Sequence, residues 1–234
     1  MADVIDYRIF GDDMQIVEIE LDPNEAVRAE VGAMLYMDRE IKMQTTTDGG
    51  IFSGLKRMVM GENFFISSFM HAGARGKAKV AFAAPYPGKI VPLNLEESGP
   101  ILCQKDAFLC AAAGIDIDIA FTKRLGAGIF GGEGFILQRL SGDGYAFAHA
   151  GGTILKRELN AGEQLRLDTG SLVALQEGMS YDIQFIGGFR NALFSGEGLF
   201  LTTIEGPGTV YLQSLPFSKL VDRISASIQF PRHD

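Results

Sequence analysis

A Gly-Glu dipeptide stands at an equivalent position in each of three repeated segments of the chain, each time a few residues after an arginine. Three equivalent loops of this kind would present carboxylates to a ligand or to a protein partner. The alternative is structural: the glycine adopts a positive φ, and the glutamate accepts backbone hydrogen bonds or pairs with the arginine. A repeat multiplies structural requirements as readily as functional ones, so both interpretations stay open and the structural one is favoured. The candidate binding residues are Glu62, Glu133, Glu197, Arg57, Arg124 and Arg190.

The histidines and cysteines do not form a metal-binding pattern. His71, His149 and His233 occupy no equivalent positions in the repeated segments, and no two of them have the spacing of a zinc site. Cys103 and Cys110 also lack that spacing, and their apolar surroundings predict buried free thiols. We therefore expect no metal and no cofactor, and we expect His149 to be a surface residue or a hydrogen-bonded strand residue.

No catalytic constellation is recognisable in the chain. Asp116 and Asp118 resemble a carboxylate pair, but they alternate with isoleucines in a pattern that indicates the solvated face of one strand. Gly-x-Ser-x-Gly does not occur. The glycine-rich string at 126–131 mimics a dinucleotide-binding loop, yet a strand pattern follows it where a helix is needed. We name no catalytic residue and expect a protein that is not an enzyme.

The composition excludes several classes of partner. A net charge of −8 without any basic run argues against nucleic acid. No apolar run is long enough to span a membrane, so no transmembrane segment is expected. The N-terminal residues lack the apolar region of a secretory signal. Together with the free thiols, this predicts a cytoplasmic location.

The elements that position these residues are repeated. An offset of 64 residues carries 106–111 onto 170–175 and 132–137 onto 196–201, and offsets of 71 and 74 relate a more diverged upstream copy. Period-two alternation between glycine-rich turns predicts short strands in every copy. The prediction is an all-β fold of three β-sandwich modules at 1–89, 90–153 and 154–217, with a helix and tail at 218–234.

Two further features follow from the alignment of the copies. The apolar runs at 34–36, 108–110 and 172–174 are predicted to occupy equivalent strands with buried central residues. Near the C-terminus, Phe217, Val221 and Ile224 recur at helical spacing after Pro216, which predicts an amphipathic helix. Its apolar stripe either packs on its own domain or contacts another subunit.

With the copies laid out, the chain resembles the AIM24 family. The resemblance is carried by residues 61–65, 105–111, 132–135 and 196–198, and it covers roughly 10–220. It implies modules similar to the tryptophan RNA-binding attenuation protein, a small sandwich of double-stranded β-helix type that assembles into rings. It further implies a ring of nine modules, hence a homotrimer. Eukaryotic members are mitochondrial proteins linked to inner-membrane organisation, and the family supplies no catalytic residue.

The favoured function is therefore that of a non-catalytic oligomeric assembly or scaffold protein whose partner is a copy of itself. The alternative is a small-molecule-binding module with ligand sites in the clefts between modules. An enzyme of the double-stranded β-helix type would need a set of histidine and carboxylate metal ligands, which the three unaligned histidines do not provide.

Overall fold

The protein folds into four β-sheets followed by a C-terminal helix, which confirms the predicted all-β class. The computed structural model describes residues 1–46, 66–84, 86–123, 134–186 and 200–227. In these ranges the α-helices are α1 (Leu95–Ser98) and α2 (Phe217–Ser227). The strands are β1 (Asp6–Phe10), β2 (Ile16–Leu21), β3 (Ala26–Glu30), β4 (Met34–Met37), β5 (Ile41–Thr46), β6 (Ile66–His71), β7 (Ala78–Ala83), β8 (Gly88–Asn94), β9 (Ile101–Gln104), β10 (Phe108–Ala112), β11 (Asp116–Lys123), β12 (Phe135–Ser141), β13 (Tyr145–Gly151), β14 (Ile154–Leu159), β15 (Gln164–Asp168), β16 (Leu172–Gln176), β17 (Ser180–Phe185), β18 (Phe200–Glu205) and β19 (Gly208–Gln213).

Local sequence explains the two kinds of strand. In β11, Asp116 and Asp118 are exposed on either side of the buried Ile117, as alternation predicts for a sheet with one wet face. Strand β10 instead reads as a continuous run of apolar and small residues and is buried throughout. Such a strand must lie in the interior with protein on both faces.

After β1, the strands fall into three sets of six with the same pairing: β2–β7, β8–β13 and β14–β19. In each set the sixth strand pairs with the first and the third, and the fifth pairs with the second and the fourth. A register shift recurs in the third strand of every set, in β4, β10 and β16. Strands β8 and β14 begin at 88 and 154, beside the predicted divisions after 89 and 153, which stay predictions.

Two of the sheets run from one set into the next. Their strand orders are β5-β6-β3-β10-β13-β8 and β11-β12-β9-β16-β19-β14, so β3–β10 and β9–β16 are the strand pairs that join consecutive sets. The remaining sheets, β1-β2-β7-β4 and β15-β18-β17, contain the rest of the first and third sets. Consecutive sets are therefore connected by backbone hydrogen bonds as well as by side chains.

The core lies between the faces of these sheets. Phe69 of β6 and Phe82 of β7 belong to different sheets, and their rings meet edge to face with centroids 5.2 Å apart. Cys103 and Cys110 are buried free cysteines, as predicted, and burial raises the pKa of the Cys103 thiol to about 12. Both thiols are therefore protonated, inert core residues at neutral pH.

The prediction of three buried core runs is right for 108–110 and 172–174 and wrong for 34–36. Leu109 and Val173 are 1% and 0% exposed, whereas the equivalent Leu35 is 55% exposed. The reason is topological. Strands β10 and β16 each pair with the second strand of the preceding set, and no set precedes β4.

Candidate functional site

Both junctions inside the chain are antiparallel strand pairs with the same register. At the first junction β3 and β10 place Ala29 opposite Cys110. At the second junction β9 and β16 place Cys103 opposite Ala174. These four residues are fully buried. A junction is thus a strip of continuous sheet covered by small and apolar side chains.

One strand of the first set and one strand of the third set each have an open edge and correspond to the two halves of such a junction. Among the described residues, β4 and β15 each pair on one side only. Strand β4 is the third strand of the first set and β15 is the second strand of the third set. Their equivalents β10, β16, β3 and β9 are all paired on both sides. An edge of this kind offers free backbone donors and acceptors to another strand.

The exposed strand β4 is held in place by a polar contact on its own sheet. The Tyr36 hydroxyl donates to the Glu18 carboxylate, and the Lys79 Nζ lies 2.8 Å from the same carboxylate. Hydrogen bonds from Lys79 and then from Tyr36 lower the pKa of Glu18, which is buried. Leu35, Tyr36 and Met37 nevertheless remain exposed. The strand is ordered by its neighbours but left uncovered.

The edge strand β15 has the residue pattern of β3, which pairs at the first junction. Positions 165–168 read Leu-Arg-Leu-Asp and positions 27–30 read Val-Arg-Ala-Glu. Apolar, basic, apolar and acidic residues thus follow in the same order. Leu167 is buried and Arg166 is exposed. The edge therefore carries the side chains of a strand that is paired elsewhere in the same chain.

Helix α2 lies next to β15. The Lys219 Nζ is 2.6 Å from Oδ2 of Asp168, the last residue of β15, and the ring of Phe217 lies 5.0 Å from that of Tyr86. No residue of α2 is buried; of its apolar residues, Phe217, Val221 and Ile224 are exposed and Leu220 is half-buried. The predicted amphipathic helix is present, and its apolar stripe is uncovered beside the open edge.

A cavity of about 170 Å³ lies at the first junction, where residues 30–33 of the first set face Asp106 and Leu109 of the second. Tyr86 and His149 also line it, and their ring centroids lie 4.5 Å apart in an edge-to-face contact. His149 is 2% exposed, and desolvation lowers the pKa of its imidazole to about 4. Its Nδ1 is buried and has no hydrogen-bond partner among the described residues. The expectation of a surface or hydrogen-bonded His149 was therefore wrong, because this strand position lies inside the junction.

The second junction shows how the same position is filled elsewhere in the chain. By strand register, Gln213 is the equivalent of His149. The Gln213 Oε1 accepts from the Gly151 N–H at 2.9 Å, and its Nε2 donates to the Gly170 carbonyl at 3.0 Å. One junction thus carries an amide with both its oxygen and its nitrogen hydrogen-bonded where the other carries an imidazole whose Nδ1 has no partner among the described residues. Another cavity, of about 420 Å³, is lined by residues of the second and third sets, among them Glu97, Lys156 and Tyr211.

The comparisons with known proteins identify a family. A family model described as "Mitochondrial biogenesis AIM24" matches residues 7–215. The chain belongs to the AIM24 family. A protein of Streptococcus pyogenes serotype M6, whose name calls it uncharacterised, is 32% identical over 209 residues, which cover 86% of this chain and 81% of that protein. A crystal structure of a Streptococcus pyogenes protein matches with a TM-score of 0.78 at 27% identity, and covers 96% of this chain and 100% of that one.

The Gly-Glu turns predicted as a binding feature of this AIM24 chain lie outside the described residues, and their role stays a prediction. The strands that flank them are equivalent in the three sets: β5 and β6, β11 and β12, β17 and β18. The turn residues are Glu62, Glu133, Glu197, Arg57, Arg124 and Arg190.

The described part of this AIM24 chain contains no group of three His, Cys, Asp or Glu side chains arranged to hold a metal ion. His71 is buried, and its Nδ1 lies 3.0 Å from the Leu21 carbonyl oxygen. Within the same ranges, none of the helices has both the length and the apolar character needed to cross a membrane.

Sequence reasoning missed the two open edges and the unpaired Nδ1 of His149. The sequence does contain a signal for the open edge of β4. Tyr36 and Met37 stand where the second copy has Cys110 and Ala111, so β4 differs in side-chain size from the strand that pairs at the first junction within the chain. The signal for His149 was that the other copies have no histidine at the equivalent position. In the sequence analysis this served only as an argument against a metal site.

Proposed function

We propose that this AIM24-family chain is a non-catalytic assembly protein whose copies associate head to tail into a closed homo-oligomer. The observation that carries the proposal is the pair of open edges, β4 and β15, which are the two halves of a junction made twice within the chain. Head-to-tail contacts either close into a ring or propagate into a filament, and soluble oligomers favour closure. The same edges left free would be a liability for aggregation.

A homotrimer is the expected size of this assembly. The number rests on the resemblance to ring-forming modules, in which nine modules close the circle, and on three strand sets in each chain. A scaffold of this kind acts by presenting its surface in several copies. Its process and its protein partner are a separate question from its assembly.

The test of assembly is the molar mass in solution. Light scattering on the eluting protein, at several concentrations around the micromolar range, is expected to give three times the chain mass of 25.3 kDa. A mass that stays at that of one chain over the whole range would refute the proposal. A dimer or a hexamer would preserve assembly and correct the number of chains.

The proposal includes two expectations about setting. A cytoplasmic location is supported by the buried free thiols of Cys103 and Cys110, which suit a reducing compartment. The absence of a nucleic-acid partner is supported by the net charge of −8.

A second candidate function is the binding of a small molecule at the first junction. It is favoured by one observation: His149 keeps an unpaired Nδ1 beside a cavity at a position where the second junction has Gln213, hydrogen-bonded through both its oxygen and its nitrogen. Buried polar groups are ordinarily hydrogen-bonded, so an exception that the repeat itself does not require points to a role. The cavity is smaller than the roughly 300–1,000 Å³ of sites for drug-sized ligands, so the ligand would be small.

Thermal unfolding distinguishes the two functions. A ligand that binds only the folded state raises the melting temperature with ligand concentration, whereas assembly alone makes it depend on protein concentration. A panel of small metabolites is compared on the wild type and on His149→Gln, which installs the residue of the second junction. A compound that stabilises only the wild type supports this second function. A panel without effect, or with equal effects on both proteins, counts against it.

A further inference from the structure

We infer that strand β4 of one copy pairs antiparallel with strand β15 of another, with Tyr36 opposite Leu167. This inference rests on the proposed assembly and specifies its interface. The occupant of each open edge is then a second copy of the chain, and the pairing makes one continuous seven-stranded sheet from two molecules. Across the interface the strand order would be β17-β18-β15-β4-β7-β2, with β1 beyond β2. This order is equivalent to the order β5-β6-β3-β10-β13-β8 within one chain.

The register follows from the two junctions that the chain already contains. The residue after the register shift in each third strand is Tyr36, Cys110 or Ala174. In the completed junctions Cys110 faces Ala29, and Ala174 faces Cys103. Aligned by the pairing of the second and fifth strands, the residue equivalent to Ala29 and Cys103 in β15 is Leu167. Met37 then faces Arg166, as Ala111 faces Arg28.

Exposure within the single chain supports the same interface. Leu109 and Val173 are covered at the completed junctions, and Leu109 lines the first-junction cavity together with residues 30–33 of the preceding set. Leu35 occupies the same strand position and is 55% exposed. Addition of a set in front of β4 would cover Leu35 in the same way. The exposure of β4 is therefore that expected of a junction strand whose partner strand is absent.

Helix α2 extends the interface beyond the strands. The Lys219–Asp168 ion pair holds the helix at the end of β15, which in the inferred register lies beside the start of β4. The uncovered Phe217, Val221 and Ile224 are continuous with this open edge. A bound copy would thus supply both a strand partner for β15 and an apolar surface for α2.

The decisive experiment is intermolecular disulfide trapping in the full chain. Two double variants are made, Tyr36→Cys with Leu167→Cys and Met37→Cys with Arg166→Cys, because adjacent antiparallel pairs alternate between the closer and the wider spacing. The matched control is Met37→Cys with Gln164→Cys, which is two residues out of register. Such diagonal neighbours are about 7–8 Å apart, whereas a disulfide needs Cβ atoms about 3.5–4.5 Å apart.

The readout is a non-reducing denaturing gel after mild oxidation, beside light scattering of the wild type. Covalent multimers in at least one in-register variant, with loss of the crosslink in the control, support the inference. An oligomeric wild type with neither in-register crosslink overturns the register while leaving assembly intact. A wild type of single-chain mass overturns assembly and the inference together.

A second pair of variants covers the case in which the cysteines impair folding. Leu35→Asp is expected to reduce the oligomer to single-chain mass with an unchanged circular dichroism spectrum, since Leu35 is exposed in the single chain. Met43→Asp is the control, because Met43 of β5 is 49% exposed on an edge that stays open in all three sets. Retention of the oligomer by Leu35→Asp would overturn the inferred interface.

Discussion

Glu18 connects three strands of the first set through its carboxylate. It receives Tyr36 from β4 and Lys79 from β7, and these hydrogen bonds keep its pKa below the ordinary value of 4.5. A carboxyl whose folded-state pKa is lowered contributes stability above its unfolded pKa and loses that contribution as the pH falls through the folded value. The alignment of β4 on its sheet is therefore sensitive to acid.

Glu18→Gln is expected to lower the free energy of unfolding by about 1–3 kcal/mol at pH 7, as for loss of a buried hydrogen bond to a charged group. The difference from the wild type should shrink as the pH falls below 4.5. Urea unfolding at pH 7, 5 and 3.5 measures it. Glu20→Gln, which removes only the more exposed carboxylate 3.2 Å from Lys79, is the control and should cost less. A difference that is independent of pH would contradict the assignment.

His149 makes the free energy of unfolding depend on pH in a higher pH range than Glu18 does. Its pKa falls from 6.5 to about 4 on burial, so between these values the unfolded chain binds more protons and stability decreases as the pH falls. The slope from this one group is at most about 1.4 kcal/mol per pH unit. His149→Gln should remove that part of the slope between pH 6.5 and 5 in urea unfolding. Parallel curves for the two proteins would show that the imidazole is not desolvated.

Phe108 tests the position of the core. Its side chain is 1% exposed in β10 at the first junction. Phe108→Ala is expected to cost about 3–5 kcal/mol in chemical denaturation, as large-to-small core substitutions do. Met43→Ala, at an exposed strand position, is the control and should stay within about 0.5 kcal/mol. A loss below about 1 kcal/mol for Phe108→Ala would show that the junction is not part of the core.

At the scale of elements, period-two alternation was sufficient to predict short strands, and helical spacing was sufficient to predict the C-terminal helix. The exposed Asp116 and Asp118 around the buried Ile117 follow directly from it. The exposure of Leu35 could not be predicted in this way, because Leu109 in the equivalent strand is apolar too and is buried. What distinguishes them is the strand on the other side, and long-range pairing leaves no mark in the local period of a sequence.

The helix α2 offers a prediction that separates stability from assembly. Its apolar stripe is exposed in the single chain, so Val221→Asp with Ile224→Asp should change the free energy of unfolding little. The same change should weaken the oligomer, because it places charge on the surface continuous with β15. Light scattering over a dilution series measures the effect. The control, Ser218→Asp with Ala226→Asp, adds the same charge outside the apolar stripe and should leave the oligomer intact; an equal loss in both would assign the effect to net charge.

At the scale of the whole molecule, the sequence offset implied repetition, and the sheets show how the copies are joined. Two of the four sheets contain strands from two sets, so no cut between sets leaves every sheet complete. The prediction of three sandwich modules that lean on one another did not include strands shared within one sheet. A constant offset reports that units are equivalent, but it carries no information about which unit supplies the neighbouring strand.

Shared sheets predict cooperative unfolding despite the length of the chain. Proteins of more than about 150 residues often unfold through intermediates. Here loss of one set would strip strands from its neighbour, so a single urea transition is expected. Far-ultraviolet circular dichroism and tyrosine fluorescence should give coincident curves, the chain having six tyrosines and no tryptophan. Two separated transitions would mean that the strand pairs at the junctions are weak.

The pairing of β3 with β10 also has a consequence for synthesis on the ribosome. Strand β3 ends at Glu30, but its partner begins only at Phe108. At about 5–20 residues per second, the first set emerges with that edge bare for on the order of 10 s. The edge of β9 likewise stays unpaired until β16 has been synthesised. The nascent chain is thus most vulnerable to association with its neighbours on a polysome during these intervals, and a translational pause before residue 112 would prolong the first of them.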